Sequence, residues 1–235
     1  MRRDDPDVYE VKSGPPELTA PAETVIAALA PLVTEARLAR MRTVVAGRSL
    51  DVVPVLDRVH DPHNASAILR TADALGVQRV DVIPASTGFL AARGVSKGTH
   101  RWLDIARHAS PTACAASLHA RGYEVFVAAM DGEHTPADLA RRPRVAVVFG
   151  NEHAGVSPEM REHADGSFAI PMRGFVESLN VSVAAAITLY ALTAVGRSPL
   201  APDAQRELLA RYLMGSVRDA GRIVEEYVAA DPGFK

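Results

Sequence analysis

The stretch AVVFGNEHAGVS, from Ala146 to Ser157, runs as an apolar β-like segment into a loop with glycines at 150 and 155. Two glycines so spaced after a strand describe a backbone that can come close to a ligand, and phosphate loops are built this way. A phosphate loop also needs a lysine directly after its second glycine, but Val156 stands there, and the turn holds the acidic Glu152. A second stretch, NASAILRTADALG from Asn64 to Gly76, has an apolar helical stripe of Ala65, Ile68, Ala72 and Leu75. Arg70 then lies about 200° from Ile68 around the helix, away from its packing face. Two readings follow for Arg70: a solvated cation paired with Asp73, or a fixed cation at the carboxyl end of the first strand, where open α/β sheets place their ligands. A third stretch, IPMRGFVESLNVSVAAAI from Ile170 to Ile187, puts Ser178 and Asn180 just ahead of an almost wholly apolar helix. Helix capping accounts for one of these polar residues and leaves the other unexplained.

The elements that must position these residues alternate. From Asp51 onward, short β-branched runs (DVVPVL, RVDVIPA, WLDIA, EVFVAAM, RVAVVF, SFAIP) alternate with helical stretches (NASAILRTADALG, PTACAASLHARG, SPEMREHA and NVSVAAAITLYALTAVG). This order predicts an α/β fold with a mainly parallel sheet and helices on both faces. Ahead of it, residues 1–20 are acidic and proline-containing and read as a flexible lead-in. Residues 21–48 read as a helical extension that Pro31 divides into two short helices. The α/β domain spans 49–197, its last short strand ending at Pro171, and 198–235 form a C-terminal helical extension with Ala204, Leu208, Leu209, Tyr212 and Leu213 on one stripe.

Common ligands of such folds are excluded by what is missing. After DVVPVL the chain continues as DRVHDPHN, without the glycines of a dinucleotide fingerprint. His60 and His63 have no further ligand at metal spacing and read as a turn ahead of a helix, with Asn64 its natural N-cap. No metal is expected. The single cysteine, Cys114, lies between alanines, which excludes a disulfide framework and implies a buried thiol in a reducing compartment. The N-terminus is charged and lacks the apolar core of a signal peptide, and no run approaches the ~20 apolar residues of a membrane span. A cytoplasmic protein without a membrane partner is expected.

The net charge of −2 hides an uneven distribution. Residues 36–108 carry 11 Lys/Arg against 6 Asp/Glu, beginning with Arg37, Arg40, Arg42 and Arg48 and ending with Arg93, Lys97, Arg101 and Arg107. A solvated helix face explains the first group as well as an RNA-facing surface does.

Taken together, NASAILRTADALGV, VVFGNEHAGVSPE and IPMRGFVESLNVSVAAA resemble, in this order, the three motifs of the SpoU (TrmH-type) branch of the SPOUT RNA methyltransferases. VHDPHN before the first motif and SKGTHRW at Ser96–Trp102 resemble the tRNA guanosine 2′-O-methyltransferase subgroup. The resemblance covers Asp51 to about Gly196. It implies a deep trefoil knot in the last third of the sheet, a homodimer, and S-adenosylmethionine as cofactor. The loops at Ala128, Gly150, Asn151, Glu152, Ile170, Met172, Ser178 and Leu179 would hold that cofactor. A lysine is then unnecessary, because the cofactor has no phosphate. The resemblance makes Arg70 the catalytic residue, with Asn64, Glu152, Ser178 and Asn180 completing the pocket. It makes tRNA the substrate, contacted by Arg37, Arg40, Arg42, His63, Lys97 and Arg101. The expected target is a D-loop guanosine, with ribosomal RNA the alternative within the class. A non-catalytic RNA-binding module is the reading from another class, and retention of Asn64 and Arg70 speaks against it.

Overall fold

The structure is a computed structural model that describes residues 8–11, 14–85, 90–92 and 98–230. Lys97, Arg93 and parts of the acidic lead-in lie outside the described residues.

The larger of two compact units contains Ser49–Ser198 and the strand β1, Val8–Glu10. Its framework is a sheet of six parallel strands: β2 (Val52–Asp57), β3 (Arg79–Ile83), β5 (Asp104–Arg107), β6 (Glu124–Ala128), β7 (Val145–Phe149) and β8 (Gly166–Phe168). Their order is β5-β3-β2-β7-β6-β8. The short β4 (Leu90–Ala92) pairs antiparallel with β1 outside this sheet. Strands β2 and β7 are buried at every position and pair in register from Val52 with Val145 to Leu56 with Phe149. Such continuous Val-rich burial is what a central parallel strand requires, because helices cover both faces.

On one face α3 (Pro62–Ala74) and α7 (Val181–Ala194) bury Ile68, Leu69, Ala72, Ala185, Leu189 and Leu192 against Val52, Leu56 and Val147. On the other, α4 (Pro111–Ala120) and α6 (Pro158–Glu162) bury Cys114, Leu118 and Met160 against Val53, Val55 and Val148. Alternate residues of one strand serve opposite faces, as the period of two dictates. A capping box at Thr135 opens the one-turn α5, Pro136–Leu139. The last strand ends at Phe168, not at Pro171 as expected, with His134 bridged to Phe168 on its outer side.

The second unit holds α1 (Ala22–Leu29), α2 (Glu35–Ala46), α8 (Pro202–Met214) and α9 (Ala220–Ala230). A 3-10 turn at Ala30–Leu32 contains Pro31 and separates α1 from α2. The C-terminal segment is two helices rather than one. Leu208, Leu209, Tyr212 and Leu213 are buried there. Arg48, grouped by sequence with the basic cluster, is 1% exposed, and its Nε donates to the Tyr212 hydroxyl at 3.2 Å. It therefore offers no charge to a partner, whereas Arg37, Arg40 and Arg42 on α2 are exposed.

Candidate active site

The carboxyl ends of β6, β7 and β8 open onto a cavity of about 650 Å3. Phe149 and Phe168, packed edge to face at 6.1 Å, are part of its lining. This is the position and size of a small-molecule site in an open α/β sheet.

Gly150 begins the loop that the sequence singled out. Asn151 and Gly155 close it with two reciprocal backbone hydrogen bonds of 2.9 Å. The Asn151 Oδ1 accepts from the N–H groups of His153 and Ala154, so this side chain shapes the loop from within. Its Nδ2 donates to the Arg58 carbonyl at 3.2 Å and ties the loop to the segment after β2. Gly155 takes a left-handed φ of +69°, which explains the second glycine. Ser157 caps α6, and its N–H donates to the buried Asp57 carboxylate at 2.8 Å.

The three sequence stretches meet at one chain of hydrogen bonds. Asn180 Nδ2 donates to Asn64 Oδ1 at 3.0 Å, and Asn64 Nδ2 donates to Glu152 Oε1 at 2.9 Å. Glu152 also accepts from the backbone N–H groups of His60 and Asp61, each at 3.2 Å. Asn180 caps α7, with its Oδ1 accepting from the N–H groups of Ser182 and Val183. Asn64 is not the cap expected for α3. Asp61 takes that place, accepting from His63 N–H at 2.8 Å, because Pro62 occupies the first helical position. Asn64 then falls within the first turn, where its amide is free to join the other two motifs.

Burial pushes the Glu152 carboxyl up, but hydrogen bonds from Asn64 and from the backbone of Glu152, His60 and Asp61 outweigh it and hold the group below the usual glutamate range. A carboxylate with a lowered folded-state pKa stabilises the fold above its ordinary pKa. That contribution is lost as the pH falls through the lower folded value. We expect Glu152→Gln to cost about 1 kcal/mol at neutral pH, a value held down by partial exposure. The gap between the parent and variant should close on acidification, as thermal melts across the acidic range will show. A gap that stays constant would refute this clip.

Ser178 is exposed and lines the cavity without a hydrogen bond to any described residue. Ala128, Ile170, Met172 and Leu179 line it too. The backbone N–H and C=O groups of Ile170, Met172 and Leu179 bond to no other described residue. These donors and acceptors are open to a ligand with a polar edge. Arg70 is exposed on α3, about 9 Å further along the axis than Asn64. It is absent from the cavity lining and forms no ion pair with Asp73 or any other described residue. His63 and Arg101 are exposed.

Among the described residues, one group could offer metal ligands: Asp81, His108 and Cys114, with atoms within 4.8 Å of one another. Both Asp81 oxygens already accept from Arg79, and His108 Nε2 lies 2.7 Å from one of them. Burial pushes the Cys114 thiol up to about 12. Asp81 is thus engaged by Arg79 and His108 in a buried network beside the Cys114 thiol.

A parallel α/β sheet with a ligand cavity beyond its strand ends, rimmed by three converging motifs, defines the class, and the chain belongs to the SpoU rRNA Methylase family, whose profile matches residues 51–190. It is 39% identical over 158 residues to a tRNA (guanosine(18)-2′-O)-methyltransferase of Thermus thermophilus, spanning 67% of this chain and 81% of that one. The crystal structure of the Aquifex aeolicus TrmH/SpoU tRNA modifying enzyme matches with a TM-score of 0.61 and 32% identity, over 84% of this chain and 98% of that one. The methyltransferase AviRb of Streptomyces viridochromogenes, solved with its cofactor AdoMet (S-adenosylmethionine), matches with a TM-score of 0.56 and 28% identity, over 63% and 61% of the two chains.

Proposed function

We infer that this protein transfers a methyl group from S-adenosylmethionine to a ribose 2′-hydroxyl of tRNA, at guanosine 18 of the D-loop, the nucleotide in the name of its Thermus thermophilus relative. The observation that carries this reading is the Asn180–Asn64–Glu152 chain at the rim of a cavity lined by unbonded backbone groups. Those groups fit the edge of a neutral adenine, and the absence of a lysine in the Gly150 loop fits a cofactor without phosphate.

When bound, the cofactor supplies a methyl group already activated on a sulfonium. The protein has to align the ribose oxygen and manage one proton. The Gly150 loop and the segment Ile170–Asn180 bind and orient the cofactor. Asn64 has both ends of its amide engaged, so it holds a fixed direction at the rim. Arg70 carries a guanidinium, which donates hydrogen bonds and has no acceptor, so it is no general base. Lying outside the cavity wall of its own chain, it meets RNA bound partly by the partner chain, where it binds the adjacent phosphate and stabilises the developing alkoxide, while that phosphate or a water takes the proton.

We extend the proposal to assembly and topology. The helix α7 leaves Val183, Ile187 and Tyr190 exposed, and Phe175 beside it is 108% exposed, more apolar surface than a solitary chain keeps in water. A second copy covering this face makes a homodimer. Sedimentation should give a dimer mass that Ile187→Asp shifts to the monomer, and a parent chain that stays monomeric at all concentrations would overturn it. The trefoil knot in the last third of the sheet is part of the proposal through the resemblance of the three motifs; Gly132 lies in close backbone contact with Phe168, where a Cβ would stand 2.2 Å away. Residues 21–48, with Arg37, Arg40 and Arg42 exposed, serve as the RNA-contacting extension, and the cytoplasm, where tRNA is found, is the site of action.

The direct test incubates the protein with S-adenosylmethionine and unmodified tRNA and ribosomal RNA transcripts, then maps 2′-O-methyl groups. Methylation of the D-loop guanosine is expected, and methylation confined to ribosomal RNA fragments would overturn the choice of substrate.

A further inference from the structure

We propose that Arg161 binds the α-carboxylate of the cofactor's methionine portion and so gives the cavity its preference for an amino-acid-bearing nucleoside. The inference rests on the S-adenosylmethionine reading above. Arg161 stands on α6 and is the one arginine or lysine among the described residues lining the cavity. Its Nε donates to the Val156 carbonyl at 3.2 Å, which fixes the guanidinium against the glycine loop. Its Nη2 lies 3.8 Å from where a Cβ on Gly155 would stand, so the missing side chain leaves this edge uncovered. No carboxylate of the described residues pairs with it, although Glu159 and Glu162 share its helix.

Charge matching then assigns the ligand group. At neutral pH the cofactor carries two cations, the sulfonium and the α-ammonium, and one anion, the α-carboxylate. The cavity lining offers Glu152 and Glu177 on the acidic side and Arg161 alone as a permanent cation. A guanidinium anchored through Nε keeps its two terminal nitrogens for a carboxylate, the group its planar fork fits best. Arg161 is exposed at this edge, with its Nε fixed to the Val156 carbonyl and its terminal nitrogens open to a ligand.

Calorimetry on the full chain with three ligands tests this. S-adenosylhomocysteine carries the whole amino acid, its decarboxylated amine analogue lacks the carboxylate alone, and 5′-methylthioadenosine lacks both charged groups. Arg161→Gln should weaken S-adenosylhomocysteine about tenfold, the effect of one partly exposed charge-assisted hydrogen bond, and leave the other two ligands within about twofold. Arg161→Lys should recover part of the loss, and unchanged melting temperatures will show both variants folded. Equal weakening of all three ligands, or none for S-adenosylhomocysteine, would overturn this inference alone. A parent chain that ignores all three while binding ATP or NAD would overturn the cofactor reading and this inference with it.

Discussion

Arg70→Ala will bind S-adenosylhomocysteine as the parent does and will transfer methyl groups about 100- to 1000-fold more slowly, the usual loss when a preorganised charge is removed from a reacting oxygen. The side chain is exposed, on the side of α3 opposite the buried Ile68, and it pairs with no described carboxylate, so its removal leaves the core intact. Cofactor affinity should hold because the cavity is lined from Ala128 to Ala184 and Arg70 is not part of that wall. The comparison is Arg40→Ala on α2. That change removes one exposed cation and should weaken RNA binding modestly, with a shallower salt dependence and near-normal turnover at saturating RNA. Single-turnover rates with saturating tRNA and cofactor separate the two patterns. If Arg70→Ala loses cofactor binding, or keeps near-normal turnover at saturation, the charged group that drives the chemistry lies elsewhere.

Gly150→Ala should be the most damaging single methyl group in the site. A Cβ there would stand 2.1 Å from the Gly155 carbonyl carbon and 2.1 Å from the Val156 nitrogen. Both neighbours are backbone, so no side chain can swing aside. The loop must open, at the cost of the paired hydrogen bonds between Asn151 and Gly155. Overpacking of this kind costs about 3 kcal/mol or more, which lowers the melting temperature of a chain this size by roughly 6–12 °C. S-adenosylhomocysteine binding should vanish from calorimetry, since the Gly150 loop is a wall of the cavity. Gly174→Ala is the control. That glycine lies in the neighbouring segment with nothing within 4 Å of its would-be Cβ, and the change should leave the melting temperature unaltered. Equal effects of the two substitutions would show that the loops tolerate or reject methyl groups for reasons other than this contact.

Local chemistry was legible in the sequence because it is decided within a few residues. The alternation of Val-rich runs with amphipathic stretches determined the parallel α/β sheet, since burial on both faces and helical periodicity leave their patterns in adjacent residues. The glycine pair marked a tight loop, and Asn180 marked the start of α7. Cys114, flanked by alanines, is buried as its neighbours suggested. Residues of the second and third motifs line one cavity, and Asn64 of the first meets them at its rim. What joins them did not show, because the hydrogen bonds from Asn64 to Glu152 and from Asn180 to Asn64 span 88 and 116 residues. No local rule reports a partner at that distance. Asn64 looked like a helix cap, and only the fold, with Pro62 starting α3 and Asp61 capping it, moves Asn64 inside the turn and frees its amide for the rim. Arg48 looked like part of a basic surface until Tyr212, from the far end of the chain, packed over it. Arg161 stands between Glu159 and Glu162, and nothing local marks it. Its place at the cavity follows from α6 starting directly after the Gly150 loop, which sets the guanidinium over Gly155. Helix ends and strand runs obey neighbours in sequence, whereas the direction and charge of a site depend on neighbours in space, which only the folded chain brings together.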